Sequence, residues 1–276
     1  MSSSNETSFA ERSDVERMAP AILEILDVFK ENGINCWLNY GALLGMVREG
    51  RLLPWNNDAE LCFWYTDEIA GKLCKITDIL NQKGYHAFFY SSIGAVSTWK
   101  KGVNINLNGV WTEGEYAVRP HETPHKSGAA PLISQVLYWC AVFMGTYPSG
   151  FAGNNGFRVL SKKEMIKVAM VSFFRLFPGR LRKKWCLSLI KWAAMTGGRF
   201  QKTAVPANLY SSMILIDFYG SRVPVPEKAE SLIELIYGED WNVPKESWSF
   251  YHDKNKSKSG IRFLDEPWNY SEMEIV

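Results

Sequence analysis

Two carboxylates two residues apart, Asp58 and Glu60, lie in the run WNNDAELCF (55–63). Side chains alternate along a β-strand, so both acids would point to one face, with Ala59, Leu61 and Phe63 on the other. Mg²⁺ and Mn²⁺ take oxygen ligands, and Mg²⁺ is commonly held by one or two carboxylates, substrate phosphates and water. An acid-x-acid pair is also what the solvated face of an edge strand shows. The preceding segment, Gly41-Ala42-Leu43-Leu44-Gly45, tilts the reading toward chemistry. A glycine turn that opens a helix lets backbone amides approach a phosphate, and the helix N-terminus favours an anion. Arg48 follows three residues later, and its five donors suit a phosphate oxygen, although it could equally pair with a neighbouring acid.

These residues need elements to position them. Residues 1–14 read as a disordered tail. Val15, Met18, Ile22, Ile25, Leu26 and Phe29 recur at spacings of three and four, which predicts an amphipathic helix over 15–32. Strands are expected at 36–40 and 58–65, with a turn and short helix over 41–49 between them. A helix over 67–82 and strands at 85–90, 95–100 and 103–107 come next. This order implies an α/β (α+β) core with a mixed sheet over 15–108. From 109 to 276 the pattern reads as a helical or irregular elaboration packed on that core. It includes a strand near 135–143, helices over 161–177 and 181–195, and a strand, turn and short helix over 217–241.

Composition narrows the class. The chain has 276 residues, 46% hydrophobic and 22% charged, which suits a globular protein with a substantial core. A net charge of +2 gives no support to nucleic-acid binding. Five scattered cysteines without a CxxC spacing read as reduced thiols. No apolar run approaches the roughly 20 residues that span a bilayer, and the polar start is unlike a secretory signal. A cytoplasmic location is therefore expected, with peripheral contact at the inner membrane face as a further option. No P-loop, GxSxG or GxGxxG motif is present, so kinase, hydrolase and dinucleotide readings lack support.

The run GALLGMVREGRLLPWNNDAEL (41–61) resembles the signature of the LicD/fukutin family. That signature is Gly-x-Leu-Leu-Gly, an arginine three residues on, then Pro-Trp-Asp-x-Asp-x-Asp. YGSRVPVPEKAESLIELIYGEDWNVP (219–244) is similar to the family's closing segment. The resemblance implies a nucleotidyltransferase-like fold. It also implies metal-dependent transfer of a phosphorylated group, of the phosphocholine or polyol-phosphate type, from a CDP-linked donor to a glycan or lipid-linked saccharide. Carried over residue by residue, Asp58 and Glu60 match the second and third acids and would hold Mg²⁺ or Mn²⁺. Gly41, Leu44 and Gly45 would shape the phosphate turn, Arg48 would stabilise developing charge, and Trp55 would stack on a base or lock the loop. Asn56 stands where the first acid belongs. A later-strand acid is replaced by Asn104 or Asn106, and an amide can coordinate a metal but cannot serve as a base. These departures leave open a catalytically impaired member that binds nucleotide or glycan.

Two other features stand out. His121 and His125 have a His-x₃-His spacing that could bind zinc on a helix, but Pro124 argues against a helix there. Residues 162–202 carry many lysines and arginines among apolar residues, including Trp185 and Trp192. That pattern fits a surface resting on anionic lipid, a face for a polyanionic acceptor, or two ordinary core-packed helices.

Overall fold

The computed structural model describes residues 7–56, 58–90, 93–120 and 202–244, the strands at 146–148 and 262–264, and parts of 133–141 and 169–195. Helix α1 (Thr7–Glu31) leads into strand β1 (Cys36–Asn39), helix α2 (Tyr40–Glu49) and strand β2 (Asp58–Trp64). Helix α3 (Asp67–Gln82) is next, then β3 (His86–Tyr90), β4 (Ala95–Lys100) and the long β5 (Val103–Glu113). The expected β-α-β-α-β-β-β order is present, and α3 and β4 have the expected bounds. Helix α1 takes in residues 7–14, so that part of the expected disordered tail is helical. The tail has neither Pro nor Gly over 7–14, and a helix nucleated by the buried turns from Met18 onward can propagate into it.

β5 organises the sheet. Its first part lies parallel to β2 and antiparallel to β4, while its last residues, Trp111–Glu113, pair with β6 (Tyr116–Pro120). β1 closes the other side of β2, antiparallel. The sheet is therefore mixed, as expected. Beyond β6 it continues through β8 (Lys202–Pro206) to β11 (Arg262–Leu264), and β3 carries the short β7 (Thr146–Pro148). Strands β9 (Met213–Phe218) and β10 (Ser221–Pro226) form a hairpin beside β1. Helix α4 (Gly179–Met195) precedes β8, and α5 (Ala229–Tyr237) comes after the hairpin.

The expectation of helical or irregular structure beyond residue 109 is corrected, because strands extend the sheet there. These strands and the separate β9–β10 hairpin are short, and prolines at 120, 148, 206, 224 and 226 break the alternation that would have announced them. The strand expected near 135–143 is also corrected, since residues 136, 137 and 139–141 are helical. An apolar run of that length does not by itself separate strand from helix.

One part of the core lies on the α1/α3 side of the sheet. Ala59, Leu61 and Phe63 of β2 are fully buried, and the Phe63 ring meets Phe29 of α1 at 5.8 Å between centroids. Asp58 and Glu60 are only half-buried on the other face, as strand alternation requires.

Candidate active site

The alternation of β2 places Asp58 and Glu60 side by side, and the parallel partner β5 sets Asn104 beside Asp58 and Asn106 beside Glu60. Of these asparagines, Asn106 reaches the acids. Its Nδ2 donates to Asp58 Oδ2 at 3.4 Å, while its Oδ1 accepts from Ser97 Oγ at 3.1 Å. Burial pushes the Asp58 carboxyl above its ordinary range, only partly offset by Asn106 and the more distant Arg119 charge. Glu60 has a cation closer by, with Arg119 Nη1 of β6 3.5 Å from its Oε1. The Arg119 guanidinium also lies over the Tyr40 ring at 5.3 Å.

The chain enters this site through a strained corner. Asn39 ends β1 as a buried residue whose Nδ2 donates to Cys62 Sγ at 3.0 Å and Tyr210 Oη at 3.2 Å. The next residue, Tyr40, has φ of +45°, a region that non-glycine residues avoid. Helix α2 starts there, so Gly41–Gly45 is helix from the outset rather than a separate turn. The two glycines do different jobs. A Cβ on Gly41 would strike the Asn56 side chain, so this glycine admits Asn56 to the site. A Cβ on Gly45 would lie 2.6 Å from Arg51 O and 2.9 Å from Leu53 N. Gly45 therefore lets the returning loop pack against α2, and it does not line the pocket.

A cavity of about 230 Å³ opens over these residues. One wall is Gly41, Leu44 and Arg48 of α2, with Leu53, Trp55 and Asn56 of the loop, and Asp58 and Glu60 stand at its floor. The opposite wall comes from the far end of the chain: Tyr237, Asp240, Trp241 and Val243. Gly238 ends α5, and bonds from Trp241 N to Gly238 O (3.1 Å) and Val243 N to Asp240 O (3.0 Å) curl this segment into the wall. Arg48 fastens the two walls together. Its Nη1 donates to Trp241 O at 3.2 Å, its Nη2 pairs with Glu49 Oε1 at 2.8 Å, and its guanidinium lies 5.9 Å from the Trp55 ring. Its Nε is buried without a hydrogen-bond partner.

Seven of the sequence-derived candidates thus meet in one cavity: Gly41, Leu44, Arg48, Trp55, Asn56, Asp58 and Glu60. Asn104 shares their sheet face through its register with Asp58 but is not part of the lining. Sequence reasoning missed Tyr237, Asp240 and Trp241 as site residues, although the run YGEDW stood out as a motif. It also missed Asn106's bond to Asp58 and Arg119's pairing with Glu60, for which the sequence holds no local signal. His121 and His125 lie outside the described residues.

Among the described residues, no three His, Cys, Asp or Glu side chains converge as a metal-binding group. The residues that could hold a divalent cation are Asp58 and Glu60, with substrate oxygens and water as further ligands. Asp58 fits this role by its burial without an ion pair of its own, since a cation would supply the countercharge that burial makes costly. The described cysteines offer no alternative chemistry. All five are free, and burial pushes the Cys62 and Cys186 thiols up to about 12, where they stay protonated.

No curated protein matches the chain. Among solved structures, the solution structure of the antibiotic-resistance factor ANT(2'')-Ia is similar at 15% identity and a TM-score of 0.31, covering 66% of this chain and 97% of that one. A crystal structure of ANT(2")-Ia in complex with adenylyl-2"-tobramycin is similar at 14% identity and a TM-score of 0.28, covering 63% and 97%. Residues 33–110, from the turn before β1 through the part of β5 that pairs with β2, match the model of the LicD/FKTN/FKRP nucleotidyltransferase domain. That span holds both carboxylates, the Gly41–Gly45 segment, Arg48 and the asparagine face of β5. Residues 33–110 are thus similar to the nucleotidyltransferase domain of the LicD/fukutin family.

Proposed function

We propose that this cavity transfers a phosphorylated small group, of the phosphocholine or polyol-phosphate type, from a CDP-linked donor to a hydroxyl of a glycan or lipid-linked saccharide. The observation that carries the reading is the meeting of Asp58 and Glu60 with the start of α2 and Arg48 in one small-molecule cavity. In the reaction, the acceptor oxygen attacks the donor phosphorus distal to cytidine. A P–O bond forms, the bridging P–O bond to CMP breaks, and the hydroxyl proton passes to a base. Asp58 and Glu60 would hold Mg²⁺ or Mn²⁺, which when bound neutralises pyrophosphate charge. Arg48 keeps the aromatic wall closed over the donor and offers its buried Nε to an acceptor oxygen. Asp240 is the third carboxylate of the cavity and takes the role of base that Asn56 and Asn106 cannot fill.

One observation favours a second reading, a member that binds its ligand without turnover: Arg119 already stands 3.5 Å from Glu60 and competes for its charge. Release of CMP from CDP-choline or CDP-ribitol over many turnovers, dependent on Mg²⁺ or Mn²⁺, separates the two. Turnover abolished by Asp58→Asn supports transfer. Metal-dependent binding of the donor with no CMP released supports the binding-only reading.

A further inference from the structure

Charge is divided unevenly along the chain. Residues 162–202 hold eleven Lys and Arg and a single acid, Glu164, whereas the whole chain has 31 basic and 29 acidic residues. The rest of the protein is therefore acidic, and nearly all the positive excess sits in one segment. Helix α4 lies within that segment and contains five basic residues and no acid. Its inner side is fixed by Cys186 and Ala193, which are buried in a satellite core with Ala141 and Phe174. Cys186 Sγ donates to Ala141 O at 3.4 Å.

The outward side is unusual for a water-facing helix. Arg180, Lys184 and Trp192 are exposed and fall at intervals of four and eight residues, so they share one face. Trp192 is 57% exposed, and before α4 Leu176, in the turn, is 79% exposed and Phe173, in the helical stretch ahead of that turn, 53%. A solvated helix needs the lysines but not these three large apolar side chains. A soluble polyanion would likewise engage the charges and leave Trp192 and Leu176 unused. An anionic lipid surface uses both: basic residues meet the headgroups, and Trp and Leu enter the boundary with the acyl chains. Among the described residues no helix is long and apolar enough to cross a membrane, so the contact is with the surface.

We propose that α4 and the segment before it, through Phe173, Leu176, Arg180, Lys184 and Trp192, rest on the surface of an anionic membrane. The proposal is independent of the reaction assigned to the cavity. The full chain is floated with vesicles of pure phosphatidylcholine and with vesicles that also contain phosphatidylserine, at low and high salt. Binding is expected to the anionic vesicles only and to fall with salt. Arg180→Glu with Lys184→Glu weakens partitioning by about tenfold or more, in line with the pull of each basic residue near a charged bilayer. Trp192→Ala weakens it several-fold while leaving retention on dextran sulfate unchanged. All substituted side chains are exposed, and circular dichroism of each variant confirms the fold. Equal flotation with neutral vesicles, or anionic binding untouched by the charge reversal, overturns the proposal. So does a Trp192→Ala protein that floats like wild type, which would assign the face to a soluble polyanion.

Discussion

At the scale of single residues, the site is built from groups held at some cost. Asp58 is half-buried, and burial raises its pKa, so the folded state binds a proton more readily than the unfolded chain does. Stability is then lost, not gained, as pH rises through that pKa, and the ionised carboxylate is a burden in the metal-free protein. Asp58→Asn should raise the melting temperature measured in EDTA and remove the stabilisation that Mn²⁺ gives to wild type. A melting temperature that falls in EDTA would show that Asp58 is structural. The two glycines of α2 give a second contrast. Gly45→Ala forces a Cβ against the backbone of Arg51 and Leu53 and should cost about 1–3 kcal/mol in urea unfolding. Gly41→Ala meets only the movable Asn56 side chain and should mainly weaken ligand binding. Equal stability losses in the two would contradict this division. Asp58 and Glu60 were legible because strand period alone puts them on one face. Asn106 was legible only as an alternative to Asn104, and Arg119, Tyr237 and Asp240 were not legible, because their places depend on register and on segments far away in the chain.

At the scale of elements, legibility tracked periodicity. Helix α3 and strand β4 have strong patterns and clear stops, and their expected bounds hold. β6, β8 and β10 are short strands with proline at their ends or interior, and β6 and β8 depend for their existence on neighbours already in the sheet. Helix α1 is tied to that sheet by one carboxylate. Glu24 accepts from Tyr85 Oη at 2.7 Å and from Lys100 Nζ at 3.0 Å. Burial acts to raise its pKa, but Tyr85 and Lys100 together bring it below its ordinary 4.5. A depressed carboxylate pKa gives stability that is present above the unfolded value and is lost as pH falls through the folded one. Glu24→Ala should therefore destabilise by about 1–2 kcal/mol at neutral pH, as the loss of charge-assisted hydrogen bonds implies. The gap from wild type should close below about pH 4.5, the ordinary value. Thermal melts across pH check this, and a gap that persists in acid would assign the effect to packing.

At the scale of the whole molecule, the family domain at 33–110 depends on the C-terminal part of the chain. The pocket wall carried by Tyr237–Val243 and the apolar residues Leu232, Ile233 and Ile236 of α5 belong to the same core as α2 and β1. A leash from the hairpin adds to this, since Leu52 N donates to Tyr219 Oη at 3.0 Å. A fragment ending at residue 110 should bind hydrophobic dye and unfold without a cooperative transition, whereas the full chain melts sharply. A cooperative, dye-free fragment would show that the elaboration is dispensable for folding. This dependence was only half legible: the resemblance of 219–244 to a family closing segment singled it out, but nothing local said that it forms a wall of the site.

The central claim is that Asp58 and Glu60 bind a CDP-linked donor through a divalent metal. Calorimetric titration of CDP-choline and CDP-ribitol into the full chain tests it most directly, with Mg²⁺, with Mn²⁺ and with EDTA, beside Asp58→Asn/Glu60→Gln. Binding that requires the metal and is lost in the double variant is the expected result. Donor binding that persists in EDTA, or that the double variant retains, would contradict the assignment.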